Sequence, residues 1–169
     1  MKGNHLTRQI KIRATENETR KLEDFIELIC DEYHIYDAYY GNILASNTIA
    51  FELLEEFTRK GEGPEIDIFF NSSPTGLFFT MKVNELFLEF ASLYERTCRL
   101  LDEDADPVAE NEKQMMMIKL LSDEIKIDPE DGSFTLVFHV TGINEPLSIQ
   151  RIELLERYYS NLLQKEKAR

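Results

Sequence analysis

Residues 66–83 read IDIFFNSSPTGLFFTMKV, and this stretch decides the fold. Apolar residues alternate from Ile66 to Phe70 and again from Leu77 to Val83, which is the period of a strand with one buried face. The six residues between these runs are rich in Asn, Ser, Pro and Gly, and they predict a turn. Two strands joined by so short a turn pair antiparallel, so the stretch predicts a hairpin.

Further strands are predicted on both sides of this hairpin. Residues 124–127 and 133–140 have the composition of strands, and residues 128–132 between them have the composition of a turn. Near the N-terminus, residues 9–13 alternate polar and apolar side chains and predict one more strand. The sheet is therefore expected to contain two local hairpins and a separate N-terminal strand.

Helices are predicted between the strands by apolar residues spaced three and four apart. A capping-box pattern over residues 15–18 begins the first helix. The later helices are predicted over residues 37–59, 86–101, 114–121 and 147–166. Helices grouped with antiparallel hairpins predict an α+β fold, a two-layer α/β sandwich whose mostly antiparallel or mixed sheet has helices on one face. The C-terminal helix is additional to this sandwich.

The composition is that of one globular domain in a reducing compartment. Of the 169 residues, 43% are hydrophobic and 30% are charged, and no repeat or linker divides them, so a single domain over 1–169 is expected. No run approaches the roughly 18–20 apolar residues of a membrane span. The only cysteines, Cys30 and Cys98, lie in predicted helices, where free buried thiols are commoner than a disulfide. A cytoplasmic location is expected.

The formal net charge of −13, from 32 acidic and 19 basic residues, restricts the partners of this chain. Nucleic acid or anionic lipid would require a concentrated basic patch, whereas the Lys and Arg residues are scattered along the sequence. The negative charge therefore fits a regulatory protein partner with basic character or serves solubility alone, and we expect neither nucleic acid nor membrane binding.

The order strand, helix, long helix, hairpin, helix, acidic loop, short helix, hairpin resembles the GHKL (histidine-kinase-type) ATPase fold. Within that superfamily the chain is most similar to the anti-sigma-factor serine kinases. The resemblance covers residues 8–141, and the segments that carry it are 10–12, 22–33, 42–45 and 117–125. It implies a bacterial regulatory protein built on an ATPase-like scaffold.

The nucleotide motifs of the resembled family are degenerate in this sequence. In the family, the second helix carries a glutamate that activates the attacking group and, one turn later, an asparagine that holds Mg²⁺. The matching positions are Thr48 and Glu52, or Asn47 and Phe51 if the alignment slips by one residue. Neither pair supplies both side chains. The positions that the resemblance implies as remnants of a nucleotide site are Asn47, Thr48, Glu52, Asn84 and Glu85.

The segments that match the nucleotide site of the resembled family also lack its glycines, and the segment that matches its lid is strongly acidic. Asn84 and Glu85 begin the segment that matches the adenine-binding Asp-x-Gly-x-Gly, and that segment lacks the glycines that let a backbone approach the base. Residues 111–115 replace a phosphate-binding glycine pair. Residues 102–112, which match the lid over the triphosphate, contain six acidic residues and no basic one. We therefore expect no catalytic residue and no ATP or Mg²⁺ cofactor.

Two other features resemble sites but favour simpler interpretations. The acidic loop alternates aspartates from Asp102 as a calcium loop does, but it has no glycine at its sixth position and no glutamate at its twelfth. A solvated acidic loop is predicted. His139 lies on the strand face opposite Phe138 and is predicted to be structural.

The C-terminal helix carries a broad apolar face that must be buried against another surface. It packs on the free face of its own sheet or pairs with a second chain to form a homodimer, and the sequence favours neither. The residues of this candidate interaction stripe are Ile152, Leu155, Tyr159 and Leu162.

Together these features predict a non-catalytic regulatory domain that binds another protein, such as a sigma factor or an antagonist. An alternative from a different functional class is an atypical ATP-binding protein or serine kinase. In that case Asn47, Glu52 or Asn84 would replace the missing residues of the nucleotide site. A third possibility is an unrelated α/β domain whose element order coincides with that of the GHKL fold.

Overall fold

The computed structural model describes residues 8–13, 18–32, 35, 38–57, 65–73, 76–83, 87–139, 157 and 160. These residues form five strands and four helices, in an α+β arrangement that confirms the predicted class. In chain order the elements are β1 (Arg8–Arg13), α1 (Thr19–Glu32), α2 (Ala38–Phe57), β2 (Glu65–Ser73), β3 (Gly76–Lys82), α3 (Phe87–Asp102), α4 (Glu110–Leu121), β4 (Glu124–Asp128) and β5 (Ser133–His139).

The sheet has the strand order β1-β2-β3-β5-β4, and all four pairings are antiparallel. Both predicted hairpins are present, as β2–β3 and β4–β5. They join through β3 and β5, where Met81 pairs with Phe134, and β1 adds to the outer side of β2, where Ile10 pairs with Ile68. The two edges of the open sheet are therefore β1 and β4.

One face of the sheet forms the core with the helices. Alternate residues of the strands point into it, so that Ile68, Met81 and Phe134 are at most 1% exposed. The ring of Phe90 on α3 packs on that of Phe134, with centroids 4.9 Å apart. The apolar stripe of α1 joins the same cluster, and its buried members are Leu22, Ile26, Ile29 and Cys30.

The opposite face of the sheet is more polar. In its centre the hydroxyls of Thr80 and Thr135 hydrogen-bond across β3 and β5 at 2.8 Å. The Lys126 ammonium on β4 reaches over β5 to lie 5.9 Å from the centroid of the Phe78 ring on β3. Polar and aromatic side chains therefore tie neighbouring strands together on this face.

The α2 helix is buried on most of its circumference, because it lies against both α1 and α4. Its apolar residues Ile43, Ala50, Leu53 and Leu54 are at most 3% exposed. Asn42, Ser46 and Asn47 are equally buried, so this helix has no single apolar stripe. The Ser46 hydroxyl is satisfied within the helix by donating to the Asn42 carbonyl.

The β2–β3 turn and the start of α4 differ most from the sequence prediction. Strands β2 and β3 run to Ser73 and from Gly76, which pair with each other, so only two residues separate them instead of six. Helix α4 begins at Glu110 and not near residue 114. Its fully buried methionine is Met115, and the half-buried Met117 also packs against the core cluster.

Several predictions lie wholly or mostly outside the described residues, including the capping box over residues 15–18, of which only Glu18 is described. Of the C-terminal helix predicted over 147–166, only Arg157 and Ser160 are described, and both are helical and exposed. In the described part of the chain, no helix is both long enough and apolar enough to cross a membrane.

Candidate functional site

Asn47, which one alignment places at the position of the activating glutamate, lies inside the protein. Its side chain is 0% exposed, and its Nδ2 donates to the Ile43 carbonyl oxygen one turn earlier, at 2.8 Å. Phe51, the second residue of that alignment, is also 0% exposed and belongs to the hydrophobic core. Neither side chain of the Asn47–Phe51 pair is therefore placed to contact a nucleotide at the surface.

The other alignment places Thr48 and Glu52 on the outer side of α2. The half-buried Thr48 hydroxyl donates to the Leu44 carbonyl oxygen at 2.8 Å, and the Glu52 side chain is exposed. Each residue of an α-helix rotates the side-chain direction by about 100°. Glu52, five residues after Asn47, therefore points about 140° away from it around the helix axis. Helix α2 therefore places Asn47 on a different side from Thr48 and Glu52, and the three residues do not form one site.

Glu52 instead belongs to a group of carboxylates on α1 and α2. Desolvation by the surrounding protein raises the pKa of Glu52, and repulsion from Glu55 and Glu23 raises it further. Burial likewise raises the pKa of the Tyr40 hydroxyl, with additional repulsion from Glu27, Cys30, Asp31 and Glu23. Glu23, Glu27 and Asp31 follow one another at intervals of four residues, so they share one face of α1, a helix that packs against α2. We define this acidic α1–α2 surface by Glu23, Glu27, Asp31, Glu52 and Glu55.

A second polar feature accompanies the contact between α2 and α4. Four side-chain amide oxygens on these helices are buried and accept no hydrogen bond from the described residues: those of Asn42, Asn47, Asn111 and Gln114. Buried polar atoms are normally satisfied, so each of these oxygens can accept a hydrogen bond from water or from a ligand N–H. Only Asn47 had been singled out from the sequence, because a buried asparagine has no pattern of its own.

The acidic loop begins with a well-defined helix end. The Ala105 N–H donates to the Leu100 carbonyl at 2.9 Å and the Asp104 N–H to the Leu101 carbonyl at 3.3 Å, as in a Schellman motif. Asp104 has a φ of 52°, in the left-handed region that glycine usually occupies there. Beyond it, Val108 is 88% exposed.

The segment expected to replace the phosphate-binding glycines is helical. Residues 111–115 form the first turns of α4, which begins at Glu110 directly after the acidic loop. Their backbone N–H groups from Lys113 onward are used within the helix, since the Lys113 N–H already donates to the Ala109 carbonyl at 3.1 Å. Glu110 and Glu112 add negative charge to the first turn. No glycine-lined phosphate cradle exists at this place.

The remaining candidate residues lie outside the described structure. They are Asn84, Glu85 and the whole stripe of Ile152, Leu155, Tyr159 and Leu162. Within the described residues, no group of three or more His, Cys, Asp or Glu side chains could hold a metal ion.

The two cysteines are free thiols in different surroundings. Cys30 is 1% exposed, and burial followed by repulsion from Asp31 raises its pKa to about 12. Cys98 is half-buried and accepts a hydrogen bond from the Lys119 ammonium at 3.0 Å. The sequence had not pointed to this contact, because the two residues lie on different helices.

Comparison with known proteins adds no assignment, since neither a family model nor a curated protein sequence matches this chain.

Proposed function

We propose that this protein is a non-catalytic regulatory domain that binds a basic protein partner through its acidic α1–α2 surface. The proposal includes a GHKL-like scaffold of the anti-sigma-factor type and a cytoplasmic, bacterial setting, as the sequence resemblance implies. The observation that carries it is the clustering of carboxylates around Glu52, at the helix face where the resembled family binds Mg²⁺ and nucleotide.

Electrostatics favours a basic partner over a nucleotide at this surface. Two like charges 4 Å apart repel by about 1 kcal/mol in water and by about 4 kcal/mol near a protein surface. A triphosphate approaching Glu52 would meet Glu23 and Glu55 as well, whereas lysine or arginine side chains would be attracted. The half-exposed Leu28 on α1 supplies an apolar contact beside these charges.

Packing also argues against nucleotide binding. The side chains of Asn47 and Phe51 are enclosed in the core. Residues 111–115 form a helix where a nucleotide site would need a phosphate-binding loop. The order of the described elements from β1 to β5 supports a GHKL-like scaffold.

A second candidate function, atypical nucleotide binding, is favoured by the buried amide oxygens alone. Asn47 and Asn42 on α2, with Asn111 and Gln114 on α4, offer acceptors that a ligand N–H or a cation could satisfy.

Thermal unfolding with and without millimolar Mg·ATP separates the two functions. Binding at 100 times the Kd stabilises a protein by about 2.7 kcal/mol, which raises the Tm by roughly 5–10 °C for a chain of this size. We expect no rise. A clear rise that is lost in Asn47→Leu would establish the nucleotide-binding alternative and overturn the non-catalytic proposal.

Site-specific crosslinking tests the partner directly. A photo-crosslinking amino acid at position 28 is expected to capture a basic protein in cells. The double charge reversal Glu27→Lys with Asp31→Lys should abolish this capture. A crosslinker at Lys126, on the opposite sheet face, is the matched control and should not capture the same protein. Capture that survives the charge reversal would show that the acidic α1–α2 surface is not the interface.

A further inference from the structure

The face of the sheet opposite the core buries a valine that the core cluster does not include. Val137 on β5 is 1% exposed. Its neighbours Leu136 and Phe138 belong to the core cluster, so Val137 points to the other side of the strand. All four described helices contribute residues to that cluster and therefore lie on the core side of the sheet. A part of the protein other than these helices must cover Val137.

Further apolar surface surrounds Val137 on the same face. It pairs with Phe78 on β3 and with the exposed Glu124 on β4, and Phe78 and Phe69 are both half-buried. Side chains on one sheet face stand beside one another, so these neighbours flank Val137 without closing the space above it. The exposed Lys126 crosses β5 toward the Phe78 ring and shields one side of Val137 at most. We define this sheet patch by Phe69, Phe78 and Val137.

We propose that the sheet patch is the docking surface for the C-terminal helix of the same chain, which the sequence predicts over residues 147–166. Of the segments outside the described residues, the one after β5 is the longest, and it carries an apolar stripe at helical spacing. The members of the stripe are Ile152, Leu155, Tyr159 and Leu162. Docked on the patch, this helix adds a third layer to the sandwich. The patch is separate from the acidic α1–α2 surface, so this inference does not rest on the proposed function.

The two described residues of this segment fit the proposed orientation. Arg157 and Ser160 are both helical and both exposed. At about 100° of rotation per residue, they point about 180° and about 120° away from the centre of the stripe. The side of the helix that faces solvent is therefore the side without the stripe. The stripe is left to meet another surface.

The connection after β5 favours the helix of the same chain over that of a second copy. Strand β5 ends at His139, two residues after Val137, so the chain leaves the sheet beside the patch. Residues 140–146 can span up to roughly 25 Å. They include Gly142 and Pro146, which favour a turn back over the sheet. So short a connection holds the helix at an effective concentration on the order of millimolar, which a second copy lacks.

Photo-crosslinking in the purified full chain tests which segment covers the patch. A photoreactive phenylalanine analogue replaces Phe78, and peptide mass spectrometry locates the product, which we expect within residues 147–166. The same analogue at Leu28 on α1 is the matched control and should not capture that segment. Capture by position 28 instead, or capture of any other segment by position 78, would overturn the proposal. If the Phe78 variant fails to fold, the analogue at Phe69 reports on the same patch.

Isotope labelling separates the protein's own helix from that of a second copy. Labelled and unlabelled chains are mixed in urea, refolded together and irradiated. We expect each crosslinked pair of peptides to carry one isotope, because both peptides come from one chain. Mixed pairs would show that a second copy occupies the patch and would overturn the proposal.

Thermal unfolding tests the orientation of the helix. Leu155→Asp should lower the Tm by roughly 5–10 °C, because it places a charge in the contact with the sheet patch. Ser160→Asp adds the same charge on the exposed side and should leave the Tm unchanged. Neither Tm should depend on protein concentration, since the contact lies within one chain. Equal losses in the two variants, or none in either, would contradict the proposed orientation.

Discussion

Gly132 and Val83 meet backbone to backbone. The Val83 N–H donates to the Gly132 carbonyl oxygen at 2.9 Å, and a Cβ on Gly132 would lie only 2.4 Å from the Val83 carbonyl oxygen. Gly132 also has a φ of 64°, which side-chain-bearing residues avoid. The turn between β4 and β5 therefore holds the end of β3, directly before Asn84 and Glu85.

Gly132→Ala is expected to destabilise the protein by about 2–4 kcal/mol, because it combines left-handed strain of about 1–2 kcal/mol with a backbone clash. Urea unfolding measures this change. Glu130→Ala, in the same turn but exposed, should alter the free energy of unfolding by less than about 0.5 kcal/mol. Equal effects of the two substitutions would show that the contact with Val83 is unimportant.

Asp104→Gly should stabilise the protein by about 1 kcal/mol, because glycine adopts the left-handed end of α3 without strain. Asp104→Ala removes the same charge but not the strain, so it is the matched control and should give no gain. The two variants are compared by their urea midpoints. A gain shared equally by both would assign the effect to charge and not to backbone conformation.

Asn47→Leu should leave stability unchanged or raise it by about 1 kcal/mol, because it replaces a buried amide whose oxygen accepts no hydrogen bond from the described residues by an apolar side chain of similar size. Chemical unfolding measures the outcome. Thr97→Val is the contrasting variant, since the buried Thr97 hydroxyl is satisfied by the Leu93 carbonyl at 2.8 Å. A large loss for Asn47→Leu would mean that its oxygen has a bound partner in solution.

Glu52→Gln should make the protein more stable at pH 7 by less than about 1 kcal/mol, since the side chain is exposed and solvent screens its repulsion. The pKa of Glu52 is higher in the folded state, so stability is lost as the pH rises through that pKa and the carboxylate forms. At about pH 3.5, where both states bind the proton, the advantage of the variant should vanish. An advantage that persists there would contradict an electrostatic origin. In a Glu23→Gln background the gain should shrink.

The sheet and most helices could be predicted because their signals are local. The alternation of Ile66, Ile68 and Phe70 specifies a buried strand face, and the spacing of Leu22, Ile26 and Ile29 specifies a helix stripe. Both patterns are fully buried in the structure. Their periods reflect backbone geometry, which does not depend on the partner element.

Other features could not be predicted, because they either lack a local signal or depend on partners that are distant in the sequence. Helix α4 begins after Ala109, which gives no side-chain cap, so its first turn has no start signal. Asp104 occupies a position where glycine would have marked the end of α3. The burial of Asn47 and the contact of Lys119 with Cys98 follow from helix–helix packing, which no single segment encodes.

The joining of β3 to β5 has a consequence for the kinetics of folding. Each hairpin closes a short loop, whereas Thr80 and Thr135, which hydrogen-bond across the joint, are 55 residues apart along the chain. Closing such a loop is entropically slow, and non-local pairing generally limits folding rates. We therefore expect the hairpins to form early and the β3–β5 seam to close late. Because closing this seam limits the rate, substitutions along it should slow folding more than they speed unfolding.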